Sequence, residues 1–393
     1  MNLPHSHHQP QPSRDGWHVG LLFSRSSLTA AVETTQDNAT RLAIDEVNAS
    51  GGIAGVPLVP VGGDAGPTPE SFREAALQLC DVERVSVIFG THMSSTRKAV
   101  LPVIESRRVL LFYPTLYEGF EYSPYCIYTG SAPNQNSVPL ARHMLEQYGG
   151  RVLFVGGRYV YPYESNRIMR DLFEQAGGTV VDEIYLPLQS SHDDFMQVLQ
   201  QAKALGPDAI YSTIVGSDTV RFYEAYQSCG LDAARMPIAS LATNEADVAA
   251  MRPNAAAGHI TAAPWFDTLD TPASQRFVRS YRARHGAAAP ITAGAEAAYF
   301  QVHLFAEAAR RAGSLRPQDV LAALGGLAFD APQGRVEIDA ETHHTWLWPR
   351  IARIGEAGRF EIISSAQSPV QPSPYMIDHV FHKQATPHGG AGH

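Results

Sequence analysis

The run Val85-Ser-Val-Ile-Phe-Gly90, Thr91-His92-Met93-Ser94-Ser95-Thr96 and, after the length of one helix, Val109-Leu-Leu-Phe-Tyr113 reads strand, helix, strand. Both flanking pieces are short, continuous apolar runs rich in Val, Ile, Leu and Phe, the pattern of strands covered on both faces. The intervening Ser94 to Glu105 carries apolar residues at helical spacing and begins just past a strand end. A strand–helix–strand unit of this length returns the chain parallel to itself. The same rhythm extends in both directions. Upstream, His18-Val-Gly-Leu-Leu-Phe-Ser24 is a buried strand, Ala39, Leu42, Ala43 and Val47 mark a helix stopped by Gly51-Gly52, and Thr68-Pro69-Glu70 starts another whose stripe is Phe72, Ala76 and Leu79. Downstream, a helix is expected over 137–148 and strands over 151–156, 178–185, 208–215, 236–241 and 259–263. The fold class that follows is α/β, with two lobes, each a parallel sheet flanked by helices and a ligand cleft between them.

The 393 residues are too many for one ordinary domain at about 150 residues each. The division expected is a polar arm at 1–16, a first lobe from 17–133 plus about 264–340, and a second from 134–263 plus about 341–380. A flexible tail at 381–393 completes it. The long helices at 271–285 and 292–312 return the chain to the first lobe. Arg335-Val-Glu-Ile-Asp339, Arg350-Ile-Ala-Arg-Ile354 and Arg359-Phe-Glu-Ile-Ile363 read as short antiparallel strands. With 30 basic and 39 acidic residues the net charge is −9, and no basic run offers a direct grip on nucleic acid. Cys80, Cys126 and Cys229 are odd in number and far apart, so they read as reduced, half-buried thiols rather than a disulfide framework. Residues 1–15 lack the basic start and apolar stretch of a signal peptide, and no window has the ~18 apolar residues of a membrane span. The expectation is a chain that stays in the cytoplasm.

The chemistry on offer is that of binding. There is no GxGxxG after a strand, no phosphate loop, no HExxH and no GxSxG. No cysteine stands beside a group that would activate it, so an enzyme is not expected, nor any cofactor or metal. His343-His344 and the terminal histidines read as solvated. Tyrosine is the positive signal: nine of the sixteen fall between 113 and 163. They follow two strand ends, where parallel sheets hold ligands. Rings with hydroxyl tips suit a small neutral ligand, although single tyrosines also serve as ordinary packing. Ser94 reads either as a plain helix cap or as a holder of a carbonyl oxygen, and Arg97 and Lys98 read as solvated charges.

Several stretches carry a resemblance: Thr96-Arg-Lys-Ala-Val-Leu-Pro102, Tyr113-Pro-Thr-Leu-Tyr-Glu-Gly-Phe-Glu-Tyr-Ser-Pro124, Ala132-Pro-Asn-Gln-Asn-Ser137, Tyr161-Pro-Tyr-Glu-Ser-Asn166 and Asp330-Ala-Pro-Gln-Gly334. From about Val19 to Tyr375 the chain resembles the amide sensors that negatively regulate aliphatic amidase operons. These form a branch of the type I periplasmic-binding-protein superfamily near the urea and short-chain amide receptors of ABC transporters. The resemblance implies that Ser94, Tyr113, Thr115, Tyr159 and Tyr161 hold an acetamide-like ligand, with Val215 lining the second lobe's side and Met93 beside Ser94. His92 stands where the sensor pattern has tyrosine, Leu116 where it has proline, and Ala242 where it has threonine. His92 could titrate near neutrality or simply pack. The implied function is a cytoplasmic sensor that holds an RNA-binding antitermination regulator inactive and releases it on binding an amide, with a homodimer as a further expectation. The alternative is the substrate-binding protein of a urea or short-chain amide ABC transporter.

Overall fold

The apolar runs form strands because each side chain finds cover on one face or the other. The computed structural model describes residues 12–375. The first sheet contains β1 (Trp17–Leu22), β2 (Leu58–Val61), β3 (Val87–Gly90), β4 (Leu110–Tyr113) and β5 (Cys126–Tyr128), ordered β2-β1-β3-β4-β5 and parallel throughout. Alternation within it is strict. Val87, Phe89, Leu110 and Phe112 belong to one core, and Ile88, Leu111 and Tyr113 to the core on the opposite face. On the first side lie α1 (Ala30–Ala49) and, from much later in the chain, α10 (Ala293–Ala312), whose Phe305 ring meets Phe89 and Phe112 edge-on at 5.6 and 5.9 Å. On the second lie α2 (Pro69–Asp81) and α3 (Ser94–Arg107).

After α4 (Pro133–Gln147), the second sheet begins. It contains β6 (Arg151–Gly157), β7 (Thr179–Leu186), β8 (Ala209–Thr213), β9 (Ile238–Ser240) and β10 (Ile260–Ala263), all parallel. Helices α5 (Val160–Gln175), α6 (His192–Leu205), α7 (Ser217–Ser228) and α8 (Glu245–Ala250) connect these strands. Phe154 and Tyr211 pack toward α4 and α5, whereas Leu153, Val155 and Ile210 pack toward α6 and α7. Helix α9 (Pro272–His285) and α10 then lead back to the first sheet and α11 (Pro317–Leu324). β11 (Ala328–Ala331), β12 (Gly334–Ile338) and β13 (Thr345–Trp346) make a small antiparallel sheet beside that lobe. β14 (Arg350–Ile354) and β15 (Phe360–Ser365) finish the second sheet, whose order is β15-β14-β10-β9-β8-β6-β7.

The fold is therefore the expected two-lobed α/β arrangement, with one correction: the second sheet is mixed. β14 pairs antiparallel with β10, because the chain enters from the opposite end after β13. The chain passes between lobes after β5, after β10 and after β13, the last of these later than the division at 340 read from sequence. Helix α4 begins at Pro133 rather than Ser137. Proline fits the first turn, and the Gln135 side chain accepts from the Ala132 N–H at 2.9 Å. The three cysteines are buried rather than half-buried, Cys126 completely. The tail at 381–393 and most of the arm at 1–16 lie outside the described residues.

Candidate functional site

The parallel strands of both sheets end at the cleft between the lobes. β3 ends at Gly90, and His92, Met93 and Ser94 follow as the chain turns into α3. β4 ends at Tyr113, followed by Thr115 and Leu116. From the other side come Tyr159 and Tyr161 after β6, Val215 after β8 and Ala242 after β9. These ten residues and Thr29 together line one cavity of about 300 Å³. Every residue expected at the site from sequence is thus brought to a single place. Thr29 was missed. Its only signal in the sequence is its position between the end of β1 and the start of α1, shared with several loop residues.

The wall of this cavity is largely apolar, interrupted by a few hydroxyls and the His92 ring, and it is uncharged. Tyr113 donates to the carbonyl of His92 at 2.7 Å, and burial pushes its phenol well above the usual tyrosine range. Burial does the same for Tyr159 and Tyr161, whose rings stand 6.2 Å apart. The buried hydroxyl of Tyr161 has no hydrogen-bond partner. Burial pushes His92 down from 6.5 to about 4, which leaves it neutral at physiological pH and removes the titration near neutrality considered from sequence. Gln36 orients that ring. Its Oε1 accepts from His92 Nδ1 at 3.1 Å and its Nε2 donates to Thr115 Oγ1 at 3.1 Å.

Charge lies one layer behind. Ser94 does not cap α3. Met93 occupies the cap position, and the Ser94 hydroxyl donates to Glu118 Oε2 at 2.6 Å. Glu118 in turn meets Arg97 Nη2 at 2.9 Å, and Arg97 Nε reaches Glu121 Oε1 at 2.7 Å. Arg97 is therefore not solvated: it is fully buried, with its guanidinium 4.7 and 4.9 Å from the centres of the Tyr113 and Tyr117 rings. Lys98 is exposed as expected, and it reaches Glu121 Oε2 at 2.8 Å. Burial alone would push the Glu121 carboxyl up, but Arg97 and Lys98 outweigh it and hold it below its ordinary value. His344 also departs from its solvated reading. It is buried and stacked on Tyr128, with ring centres 4.2 Å apart.

Two lobes, each built on a largely parallel sheet, with their strand ends facing across a small pocket, define an architecture, and comparison with known proteins agrees with it. A family profile described as periplasmic binding protein domain matches residues 17–380. The chain belongs to that family. Among curated relatives, the Leu/Ile/Val-binding protein homolog 6 of Brucella melitensis is 26% identical over 282 residues, which are 70% of this chain and 72% of that protein. Among solved structures, a solute-binding protein of an ABC transporter from Rhodopseudomonas palustris BisB5, in complex with 3,4-dihydroxybenzoic acid, superposes with a TM-score of 0.82. It is 22% identical and covers 91% of this chain and 99% of its own. The isoleucine-bound branched-chain amino acid binding protein LivJ of Streptococcus pneumoniae gives 0.79 at 20% identity, with coverages of 91% and 100%. At these identities the structural likenesses speak for the fold alone. Members of a solute-binding family take small molecules, and the site must be read from its own residues. Among the described residues no cluster of His, Cys, Asp or Glu could hold a metal ion, and no helix is long and apolar enough to cross a membrane.

Proposed function

We propose that this protein is a solute-binding protein whose cleft takes a small uncharged amide, acetamide-like or urea, as the ligand of a transport system. The observation that carries the reading is the neutrality of the pocket wall. His92, Tyr113, Tyr159 and Tyr161 are all held in their uncharged forms, and Arg97 is consumed by Glu118 and Glu121. A carboxylate ligand would meet no free cation among the residues lining the cavity and would lie close to Glu118. An amide fits the donor and acceptor pattern. With its proton on Glu118, Ser94 Oγ can only accept from the ligand, which an amide N–H supplies. The unpartnered Tyr161 hydroxyl can donate to the amide oxygen. Nothing in this arrangement activates a nucleophile, so the role is binding rather than catalysis.

The test is thermal unfolding against acetamide, propionamide, urea, acetate and leucine. A ligand at about a hundred times its dissociation constant adds about 2.7 kcal/mol of stability. The reading expects midpoint shifts with the amides or urea and none with acetate or leucine. The opposite pattern overturns it.

A second reading, the cytoplasmic amide sensor that sequesters an antitermination regulator, is favoured by the thiols. Cys80, Cys126 and Cys229 are all free and buried, as suits a reducing compartment. The two readings share the cleft and differ in what responds to closure. Recovery of an RNA-binding protein that leaves on addition of amide would select the sensor. Recovery of the protein from a periplasmic extract would select the transport receptor.

A further inference from the structure

Gln36 is fully buried in α1 and does not line the tyrosine pocket, yet its side chain is spent on the residues behind it. Its Nε2 faces the Thr115 hydroxyl at 3.1 Å and the Pro114 carbonyl at 3.4 Å, and its Oε1 faces His92 Nδ1 at 3.1 Å. Helix α10 passes so close that a Cβ at Gly294 would lie 2.8 Å from Nε2, which holds the amide where it is. The Pro114 carbonyl decides which way round that amide stands. A carbonyl can only accept, so the –NH2 end must face it, and the reverse orientation would set two oxygens against each other with no proton between them. Thr115 Oγ1 directs its own proton at the Thr91 carbonyl, at 3.4 Å, and stands 3.3 Å from His92 Nδ1 as a further acceptor. With acceptors on that side, Nδ1 must carry the ring proton. Burial keeps the ring neutral, and in a neutral imidazole the other nitrogen, Nε2, is then an acceptor. His92 Nε2 makes no hydrogen bond within the described residues and is not among their buried unpartnered polar atoms, so it is open to the space that the ring lines.

We propose that Gln36 is a positioning residue that fixes His92 as the Nδ1–H tautomer and so makes Nε2 a second acceptor for the ligand's –NH2 group. The inference deepens the amide reading above and rests on it. Ser94 Oγ, with its proton on Glu118, takes one N–H. His92 Nε2 takes the other, and the unpartnered Tyr161 hydroxyl donates to the ligand oxygen. Two acceptors and one donor match a primary carboxamide or urea group for group. An N-alkyl amide brings at most one N–H and leaves an acceptor unpaired, while an ester or carboxylate brings none. The site thereby selects an unsubstituted –NH2, and the ring nitrogen that does so is set by a residue outside the pocket. Gln36 lies 56 positions before His92, so no local pattern in the sequence joins the two.

Nitrogen NMR of the full chain, isotope-labelled at its histidines and free of ligand at pH 7, reads the tautomer directly. The His92 signals are those lost in His92→Leu. The expected result is a proton on Nδ1 in wild type and its transfer to Nε2 in Gln36→Met, which keeps the length of the side chain and removes its hydrogen bonds. Calorimetric titration with acetamide, urea and N-methylacetamide reads the consequence. Acetamide is expected to bind Gln36→Met and His92→Leu at least about fivefold more weakly than wild type. N-methylacetamide is expected to bind wild type at least about tenfold more weakly than acetamide. A proton on Nε2 in wild type overturns the inference without reference to any ligand, and that result does not depend on whether Gln36→Met folds. Unchanged acetamide affinity in His92→Leu, or N-methylacetamide binding as tightly as acetamide, overturns the second acceptor and leaves the amide reading intact. A wild type that binds none of the three overturns the amide reading and the ligand role of His92 together.

Discussion

Arg97 and Ser94 show what single residues contribute behind the binding surface. Arg97 is a buried cation shared by two carboxylates, and removing it leaves buried Glu118 with only the more distant Lys98 Nζ, at 4.0 Å, as a cationic partner. Arg97→Met is expected to cost roughly 3–5 kcal/mol in urea unfolding, whereas Lys98→Met, at the exposed end of the same network, costs less than about 1 kcal/mol. Equal costs would mean that Arg97 is not the keystone of the network. Ser94→Ala removes one acceptor for the ligand and is expected to weaken amide affinity by about 1 kcal/mol, roughly fivefold. An unchanged affinity would take Ser94 out of the site. His92 supplies a pH test with a definite sign. Folding depresses it from 6.5 to about 4, so as pH falls through that window the unfolded chain takes up a proton that the folded protein refuses. Its contribution therefore lowers stability on acidification from 6.5 to 4. His259 and His344, at about 3 and about 4, act in the same sense, while Asp247 and Glu296, each raised to about 8, act in the opposite one. The informative quantity is thus a difference: His92→Gln should lose stability less steeply than wild type between pH 6.5 and 4. Parallel slopes would contradict the neutral His92. At this scale the residues that line the pocket were legible, because they follow strand ends and belong to specific motifs. Arg97 and His344 were not. Glu118 and Glu121 lie 21 and 24 positions from Arg97, and the Tyr128 ring that covers His344 lies on another strand, so no local pattern announces either contact.

Elements set the closure of the cleft. The turn between β8 and α7 touches the loop between β1 and α1 across the lobes, where Ser217 N–H donates to the Leu28 carbonyl at 3.2 Å. Gly216, just before it, has φ +61, and a Cβ there would lie 2.2 Å from the Leu28 oxygen. A side chain at 216 therefore clashes with the opposite lobe and strains its own backbone by an order of 1–3 kcal/mol. Gly216→Ala is expected to weaken amide binding by about tenfold through the closed arrangement. Small-angle scattering of the liganded variant should show a more open particle than liganded wild type. Wild-type affinity and scattering would show that this contact does not latch the lobes. The strand–helix alternation from β1 to β10 was legible because continuous apolar runs, turn glycines and proline-led helix starts all agree along it. Three features were not. β5 hides in the Tyr- and Pro-rich stretch after Tyr113, since three residues give no periodicity. Helix α4 starts four residues early because a proline that reads as a break is, in a first turn, a beginning. The sheet to which the β14–β15 hairpin would pair depends on where the chain crosses, which periodicity does not record.

The whole molecule joins two lobes by three crossings and places its strand ends face to face, so that the site exists only where the lobes meet. Seven of the residues lining the pocket come from the first lobe and four from the second, and a ligand that touches both sides stabilises the closed form by the difference in its affinity for the two arrangements. The net charge of −9 is spread over such a molecule without charging the pocket, because the groups at the cleft are held neutral or paired. Composition and motifs made the uncharged lining of the pocket legible in advance. The central claim is that the cleft selects an uncharged amide head. The most direct measurement is isothermal titration of the full chain at pH 7 with acetamide and with acetate, which match in size and differ in charge. The account predicts saturable heat with acetamide and none with acetate. Binding of acetate with acetamide silent would contradict it.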